Sequence, residues 1–264
     1  MTFTQPSPAP QPHSWAVDER DIALFLDFDG TLVEIAPSPA DVQLDHRVPP
    51  ALETLRSHLS GALALVSGRP ISFLDDVLAP YQFDTAALHG ADVRLGGEVL
   101  TQAIALAEMR LAVRDLVRFA NSHVGIIVED KHISIALHWR LAPQVHDEAL
   151  DLMRAIAERM KPLVRLQEGK AVAELVPAGA SKGTAIAQLM QAPPYAGRVP
   201  VFIGDDLTDE HGFEAVNALG GLSIRIGEGE TRAPLRLSSP TALRAILLRA
   251  ADTGRLTASS FYQG

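Results

Sequence analysis

The sequence predicts an α/β protein: a mainly parallel sheet with a smaller α+β module inserted into it. In the first and last thirds of the chain, short apolar runs that suit buried strands alternate with stretches of helical spacing. The middle follows an α-β-β-α-β-β pattern instead. We therefore expect a core of residues 21–101 and 179–264, an inserted domain of residues 102–178, and a flexible proline-rich tail of residues 1–20.

The first third contains three strands and two helices. Apolar runs at 22–27 and 62–66 predict buried strands, because parallel strands are covered on both faces. A short strand is also expected at 84–88. Apolar residues at helical spacing predict helices over 48–59 and 71–78.

The inserted block begins with a helix and ends with a hairpin. The alternation over residues 124–139 is typical of a half-exposed antiparallel strand, with Ser134 and Ala136 on the exposed face. The hairpin should turn through Glu168-Gly169. The other predicted elements are helices at 102–121 and 143–161 and hairpin strands at 163–166 and 171–176.

The parallel pattern returns after residue 179. Ser181 suits the N-cap of a helix over 182–191. A buried strand follows at 200–203. Ile224 and Ile226 mark what we expect to be the last strand, and residues 241–250 form a closing helix.

Composition narrows the classes of function. The chain has 264 residues, of which 47% are hydrophobic and 21% charged, so it can bury a substantial core. Its net charge of −9, without a Lys/Arg run, argues against a nucleic-acid partner. No apolar run approaches the ~20 residues that span a bilayer. The absence of cysteine excludes thiolate chemistry and fits a cytoplasmic location.

The most informative feature is a pair of carboxylates, Asp27 and Asp29, directly after the first strand. Burying two carboxylates without partners is expensive, so a cation should meet them there. In open α/β sheets this edge is also where ligands bind. The competing interpretation is a simple turn in which one aspartate caps the next element.

Three further motifs occur at element ends: Ser67, Lys182, and the acidic run Asp205, Asp206 and Asp209. Carboxylates from two strands form a hard oxygen site suited to Mg²⁺. Hydroxyls and a lysine suit the oxygens of a phosphoryl group. Each motif has a plainer interpretation when taken alone: a turn, a surface lysine, or a helix cap.

In this order, the four motifs resemble those of the haloacid-dehalogenase superfamily of phosphatases. The longer strings are similar to those of trehalose-6-phosphate phosphatases, over roughly residues 22–240. These strings are DFDGTLVEIAPSP, SGRP, HGAD, VEDK, ALHWR, EGKAVAEL, SKG and GDDLTDE. The resemblance implies a Rossmann-like core with an inserted α+β cap.

The resemblance also implies roles in catalysis. Asp27 would attack phosphorus, and Asp29 would protonate the leaving oxygen and later activate water. Mg²⁺ would be held by the Asp27 carboxylate, the Asp29 backbone carbonyl and Asp205. Ser67 and Lys182 would bind phosphoryl oxygens.

Other residues would support these groups. Gly30 and Thr31 would contribute donors to the phosphoryl oxygens, while Arg69 could contact the substrate or brace its own loop. Asp206 and Asp209 would order metal-bound waters or neighbouring groups.

In the cap, the resemblance implies five charged residues that bind the sugar or help to bind the phosphate. Without the resemblance, they would be interpreted as a solvated strand face with ordinary ion pairs. The histidines at 89, 123, 132 and 138 have no convincing metal-ligand spacing, and we expect surface or turn positions for them. The five sugar-binding residues are Glu129, Lys131, Arg140, Lys170 and Glu174.

The primary hypothesis is a monomeric, Mg²⁺-dependent phosphatase acting on trehalose 6-phosphate. Three alternatives stay open. The same chemistry could act on another sugar phosphate, such as sucrose phosphate. The chain could be a non-catalytic sugar-phosphate sensor, although every expected catalytic group is present. A phosphomutase would need a second phosphate site, for which there is no basic cluster.

Overall fold

The computed structural model describes residues 22–36, 41–101, 106–131, 134–169, 171–256 and 258–261. The predicted tail, His132 and Lys170 lie outside these residues. The described strands are β1 (Ile22–Leu26), β2 (Leu63–Val66), β3 (Asp84–Ala87), β4 (Asp92–Leu95), β5 (Glu98–Thr101), β6 (Ile127–Asp130), β7 (Ile135–His138), β8 (Val164–Gly169), β9 (Val172–Pro177), β10 (Val199–Gly204), β11 (Leu222–Ile226) and β12 (Leu235–Leu237).

The described α-helices are α1 (Val48–His58), α2 (Ile71–Leu78), α3 (Leu106–Ser122), α4 (His146–Arg159), α5 (Lys182–Leu189), α6 (Glu210–Ala218) and α7 (Pro240–Thr253). Two of them, α3 and α4, lie in the inserted block, and the other five belong to the rest of the chain. None of the described helices is long and apolar enough to cross a membrane.

The larger sheet has the order β12-β11-β10-β1-β2-β3-β4-β5 and is parallel from β12 to β3. Strand β1 is buried at every position, as its unbroken apolar run predicts. Two helix pairs, α1 with α7 and α5 with α6, pack together around this sheet. The predicted α/β class with a mainly parallel sheet is confirmed.

The order of the strands indicates at which edge of the larger sheet a ligand would bind. Strands β1 and β10 are neighbours, and the chain runs outward from β1 to β2 but in the opposite direction from β10 to β11. Leu26 pairs with Ile203 of β10, and the Asp27 amide donates to the Ile203 carbonyl oxygen at 2.9 Å. The carboxyl ends of β1 and β10 therefore meet at a topological switch point, where open α/β sheets bind ligands.

Two features of the larger sheet differ from the sequence prediction. The hairpin β4–β5 adds two antiparallel strands beside β3, before the inserted block begins. The strand that contains Ile224 is not the last, because β12 pairs with it in parallel farther along the chain. With three residues, β12 is too short to leave a period-two pattern.

The smaller sheet is antiparallel throughout, in the order β6-β7-β9-β8. One face packs on α3 and α4 through a hydrophobic core of its own, which includes Leu116, Leu137, Met153 and Leu175. The opposite face carries polar side chains and is turned toward the larger sheet.

Two predictions for the smaller sheet are wrong in detail. Residues 124–139 contain two strands, as the α-β-β-α-β-β pattern predicts, but Ser134 and Ala136 are buried rather than half-exposed. Strand β8 continues to Gly169, which pairs with Val172. The turn therefore falls between Gly169 and Val172, and Ala171 has the positive φ that two-residue hairpins use.

Candidate active site

Four of the predicted site residues lie together at the carboxyl edge of the larger sheet. Asp27 follows β1, Ser67 follows β2, Asp205 follows β10, and Lys182 is the first residue of α5. Ser181 caps α5 as predicted, through a reciprocal pair of hydrogen bonds with Thr184. This cap fixes the start of the helix and therefore the direction in which Lys182 points.

Lys182 connects two buried carboxylates. Its ammonium group donates to Asp27 Oδ1 at 2.8 Å and to Asp209 Oδ1 at 2.6 Å. Its side chain is only 3% exposed, and the Asp209 side chain is fully buried. Burial favours the neutral amine, but the two carboxylates outweigh it and raise the pKa of Lys182 well above its usual value. The lysine is therefore a fixed positive charge, and its interpretation as a surface residue is wrong.

Asp209 organises the loop after β10. Its Oδ2 accepts from the backbone amides of Asp205 and Asp206 at 2.9 and 3.0 Å, while Oδ1 accepts from Lys182. A Cβ at Gly204 would overlap the Asp209 side chain, so this approach requires glycine. These hydrogen bonds suit one of the two roles implied for Asp209, that of ordering neighbouring groups.

The acidic cluster has the ligand chemistry that Mg²⁺ requires. Carboxylate oxygens of Asp27, Asp205 and Asp209 all lie within 4.8 Å of one another. Asp209 already accepts three hydrogen bonds, which leaves Asp27 and Asp205 as the carboxylates suited to a cation. Thr31 Oγ1 lies between them, 3.2 Å from Asp27 Oδ2 and 3.5 Å from Asp205 Oδ1.

The pKa values of Asp27 and Asp205 also indicate that this site suits a divalent cation. Burial, together with neighbouring carboxylates, raises the pKa of both Asp27 and Asp205 to about 7 despite the opposing charge of Lys182. A divalent cation beside them would favour their charged forms. The Asp29 backbone carbonyl, the third expected ligand, stays a prediction.

Gly30 keeps this cluster compact. Its φ of +75° lies in the left-handed region, which side chains disfavour. A Cβ at this position would also overlap the Asp205 carboxylate. The glycine that follows Asp29 therefore lets the loop after β1 approach the loop after β10.

Asp29 forms an ion pair with Arg69. The guanidinium Nε and Nη2 donate to the two oxygens of the Asp29 carboxylate at 2.6 and 2.7 Å. The guanidinium carbon also lies 4.5 Å from the centre of the Phe73 ring. Of the two predicted roles for Arg69, its contacts match the bracing role. Ser67 is 1% exposed, and its Oγ accepts from the Arg69 amide at 3.1 Å.

The polar face of the smaller sheet brings together three of the five predicted sugar-binding residues. Lys131 Nζ lies 3.1 Å from Glu174 Oε1 and 4.0 Å from Glu129 Oε2. Ser134 Oγ also donates to Glu174 Oε1 at 2.6 Å. Arg140 lies in the turn after β7 with its side chain exposed.

Glu174 is held in its charged form. Burial favours protonation, but the contact with His89, the charge of Lys131 and the Ser134 hydrogen bond outweigh it and lower its pKa to about 2. A carboxylate fixed in this way can only accept hydrogen bonds, which suits sugar hydroxyls.

Sequence reasoning missed several residues of this face. His138 was expected at the surface or in a turn, but it lies at the end of β7 with Nε2 3.0 Å from Glu129 Oε2. His89 lies in a turn, as expected, but its ring is only 12% exposed and lies 3.1 Å from the Gln167 amide nitrogen, a contact that was not predicted. The string HGAD was the only sequence feature that pointed to a role for His89, and no sequence feature pointed to Gln167.

Comparisons with known proteins agree with this geometry. The chain matches the family described as trehalose-phosphatase over residues 25–240. It is 43% identical to the trehalose-6-phosphate phosphatase of Escherichia coli (strain K12) over 217 residues, which cover 82% of this chain and 81% of that protein.

Two solved structures share the fold. The C-terminal domain of the C. albicans trehalose-6-phosphate phosphatase has a TM-score of 0.78 at 21% identity, covering 89% of this chain and 93% of that one. A haloacid dehalogenase-like hydrolase from Bacteroides thetaiotaomicron has a TM-score of 0.63 at 14% identity, covering 89% and 99%. The chain therefore belongs to the trehalose-phosphatase family, phosphoric monoester hydrolases with a haloacid-dehalogenase-like fold.

Proposed function

We propose that this protein is a Mg²⁺-dependent phosphatase that hydrolyses trehalose 6-phosphate to trehalose and phosphate through an aspartyl-phosphate on Asp27. The observation that carries the proposal is the position of Lys182, whose ammonium lies 2.8 Å from Asp27 beside Asp205. The nucleophile Asp27, the positively charged Lys182 and the carboxylate of Asp205 thus lie together in one buried site. The names of the relatives supply the substrate.

The first step forms the covalent intermediate. One Asp27 oxygen attacks phosphorus, and the bond between phosphorus and the sugar oxygen breaks. Lys182 and the Ser67 hydroxyl bind the phosphoryl oxygens, where negative charge is greatest. Bound Mg²⁺, held by Asp27 and Asp205, would neutralise charge on the phosphoryl group.

Asp29 moves the proton in both steps. It donates a proton to the departing sugar oxygen, and then takes one from the water that attacks the aspartyl-phosphate. That attack breaks the bond between Asp27 and phosphorus, which releases phosphate and restores both carboxyls. Because Arg69 holds both oxygens of Asp29, the carboxyl must leave this ion pair before it can carry a proton.

The polar face of the smaller sheet would recognise the sugar. Glu129 and Glu174 flank Ala136 as direct cross-strand neighbours, so both carboxylates lie on the face that carries Lys131. Arg140 and Lys170 would add hydrogen-bond donors to the sugar. A disaccharide presents hydroxyls at fixed distances, which a rigid set of acceptors and donors can match.

The proposal also assigns the parts of the chain. Residues 102–178 form a cap that closes over the sugar, and residues 21–101 and 179–264 form the catalytic core. We place the enzyme in the cytoplasm as a monomer, with sugar phosphates as its small-molecule partners. The absence of cysteine fits that compartment.

The test is phosphate release from trehalose 6-phosphate, sucrose 6-phosphate, glucose 6-phosphate and p-nitrophenyl phosphate, with Mg²⁺ or with EDTA. We expect the highest kcat/KM on trehalose 6-phosphate, and no turnover in EDTA. A preference for either of the other sugar phosphates would replace the substrate assignment. Full activity in EDTA would remove the metal from the proposal.

A further inference from the structure

The turn after β3 has an unusual backbone. Leu88 and His89 are consecutive residues with φ of +48° and +57°, a region that residues other than glycine rarely adopt. Their amides donate to backbone oxygens of the loop after β2, Leu88 to Arg69 at 3.2 Å and His89 to Ser67 at 3.0 Å. Strained backbone of this kind is retained where the surroundings enforce it, and it is concentrated at functional sites.

This turn points the His89 ring between the two sheets. On the core side, the ring lies against Gly68, where a Cβ would be 2.7 Å from two ring atoms. On the other side, Nε2 lies 3.1 Å from the Gln167 amide nitrogen and 3.7 Å from Glu174 Oε2. Gln167 and Glu174 are cross-strand partners, so the ring meets both members of one pair.

Glu174 therefore has polar neighbours on two sides. Lys131 and Ser134 hold Oε1 from within the smaller sheet, whereas His89 approaches Oε2 from the larger one. Of these contacts, only the one from His89 connects Glu174 to the phosphate loop, by which we mean the loop after β2 that begins at Ser67.

Packing alone does not explain an imidazole at this position. The other ring nitrogen, Nδ1, is buried with no hydrogen-bond partner among the residues that the structure describes. A buried polar atom without a partner is unfavourable, and an apolar side chain of similar shape would avoid that penalty. The role of the imidazole must then lie with Nε2, at Gln167 and Glu174.

We propose that His89 is a positioning residue, which fixes Glu174 and Gln167 relative to the phosphate loop and so aligns the sugar with the phosphoryl site. The inference rests on the proposed function, because it gives Glu174 a sugar to bind. His89 contacts neither the sugar nor phosphorus. It acts through Glu174.

The test compares His89→Leu with His89→Gln, whose amide can reach the position of Nε2. For His89→Leu, we expect KM for trehalose 6-phosphate to rise about tenfold, the upper end of what one hydrogen bond such as that between His89 and Gln167 contributes. The loss on p-nitrophenyl phosphate, which carries no sugar, should be several times smaller. His89→Gln should recover most of the affinity. Equal losses on both substrates, or a glutamine no better than leucine, would overturn the inference.

A double-mutant cycle separates positioning from a general structural role. In a Glu174→Ala background, His89→Leu should cost little more, because the group through which it acts is gone. Losses that simply multiply would overturn the inference. The matched control is His123→Leu, which removes another histidine–glutamate pair, His123 Nε2 to Glu148 Oε2 at 3.5 Å. It should leave both substrates unaffected.

Failure of this inference is distinguishable from failure of the proposed function. A wild-type enzyme that turns over trehalose 6-phosphate, with both His89 variants equal to it, refutes the role of His89 alone. A wild-type enzyme without activity on that substrate refutes the proposed function, and the role of His89 with it.

Discussion

Asp209→Asn is the substitution whose effect follows most directly from the hydrogen bonds of the site. The side chain accepts from Lys182 through Oδ1 and from the Asp205 and Asp206 amides through Oδ2. Asparagine has nearly the same shape, but only one of its two terminal atoms accepts hydrogen bonds. In either orientation its NH₂ group faces donors, so one of the two contacts must break.

The magnitude follows from burial. Removing one partner of a buried ion pair destabilises a protein by about 3–5 kcal/mol. We expect the lower end of this range, because Lys182 keeps Asp27 as a partner. At about 2–4 °C per kcal/mol for a chain of this size, we expect Tm to fall by about 6–12 °C. A displaced Lys182 should also lower kcat about 10²-fold on every phosphate ester, because it no longer faces the phosphoryl oxygens.

Thermal unfolding and steady-state phosphate release measure both effects. The matched control is Asp115→Asn, which removes a partly exposed carboxylate 2.7 Å from the exposed guanidinium of Arg159. An exposed pair contributes only about 0–1 kcal/mol, so this variant should stay close to wild type. An Asp209→Asn protein with the Tm and kcat of its control would show that the Lys182 network does not hold the site.

Three further predictions concern the carboxylates and Gly30. In EDTA, Tm should fall as pH rises from 6 to 8, because the raised pKa of about 7 at Asp27 and Asp205 makes the native state bind more protons than the unfolded chain. Mg²⁺ needs these carboxylates ionised, so it should raise Tm more at pH 8 than at pH 6, and equal rises would contradict the site. Gly30→Ala should abolish the Mg²⁺ response, whereas Gly220→Ala, with a φ of +74° but open space around it, should only lower stability. Because Glu174 has a pKa of about 2 against about 4.5 when unfolded, wild type should lose stability as pH falls from 5 to 3, and Glu174→Gln should lose less in chemical unfolding.

The parts of the site that could be predicted from sequence are those that local patterns encode. Five apolar residues before Asp27 predict a buried strand, and Ser181 before Lys182 predicts a helix start; the structure has both. Once both elements belong to one parallel sheet, their ends must converge. The motifs therefore predicted a shared site without any knowledge of side-chain contacts.

Contacts between distant residues could not be predicted in this way. Arg69 pairs with Asp29 across 40 residues, and the sequence carries no signal that distinguishes this pairing from a contact with substrate. Gln167 reaches His89 across 78 residues. Both depend on how elements pack in three dimensions, and His89 also depends on a left-handed backbone that its residue type does not predict.

The smaller sheet shows a similar limit. Apolar and polar alternation predicted that Ser134 and Ala136 face solvent, because period two usually means one wet face. Here both residues are buried, and Ser134 donates a hydrogen bond to the Glu174 side chain on this face. Periodicity identifies the two faces of a strand, but which of them meets water is decided by what packs on it.

The most direct test of the central claim is a single-turnover reaction with trehalose 6-phosphate and Mg²⁺, quenched in acid and analysed by peptide mass spectrometry. The account predicts a transient phosphoryl group on the peptide that contains Asp27, and neither phosphoryl-enzyme nor turnover in Asp27→Asn. A phosphoryl group on another residue, or an Asp27→Asn protein that still releases phosphate at the wild-type rate, would contradict it.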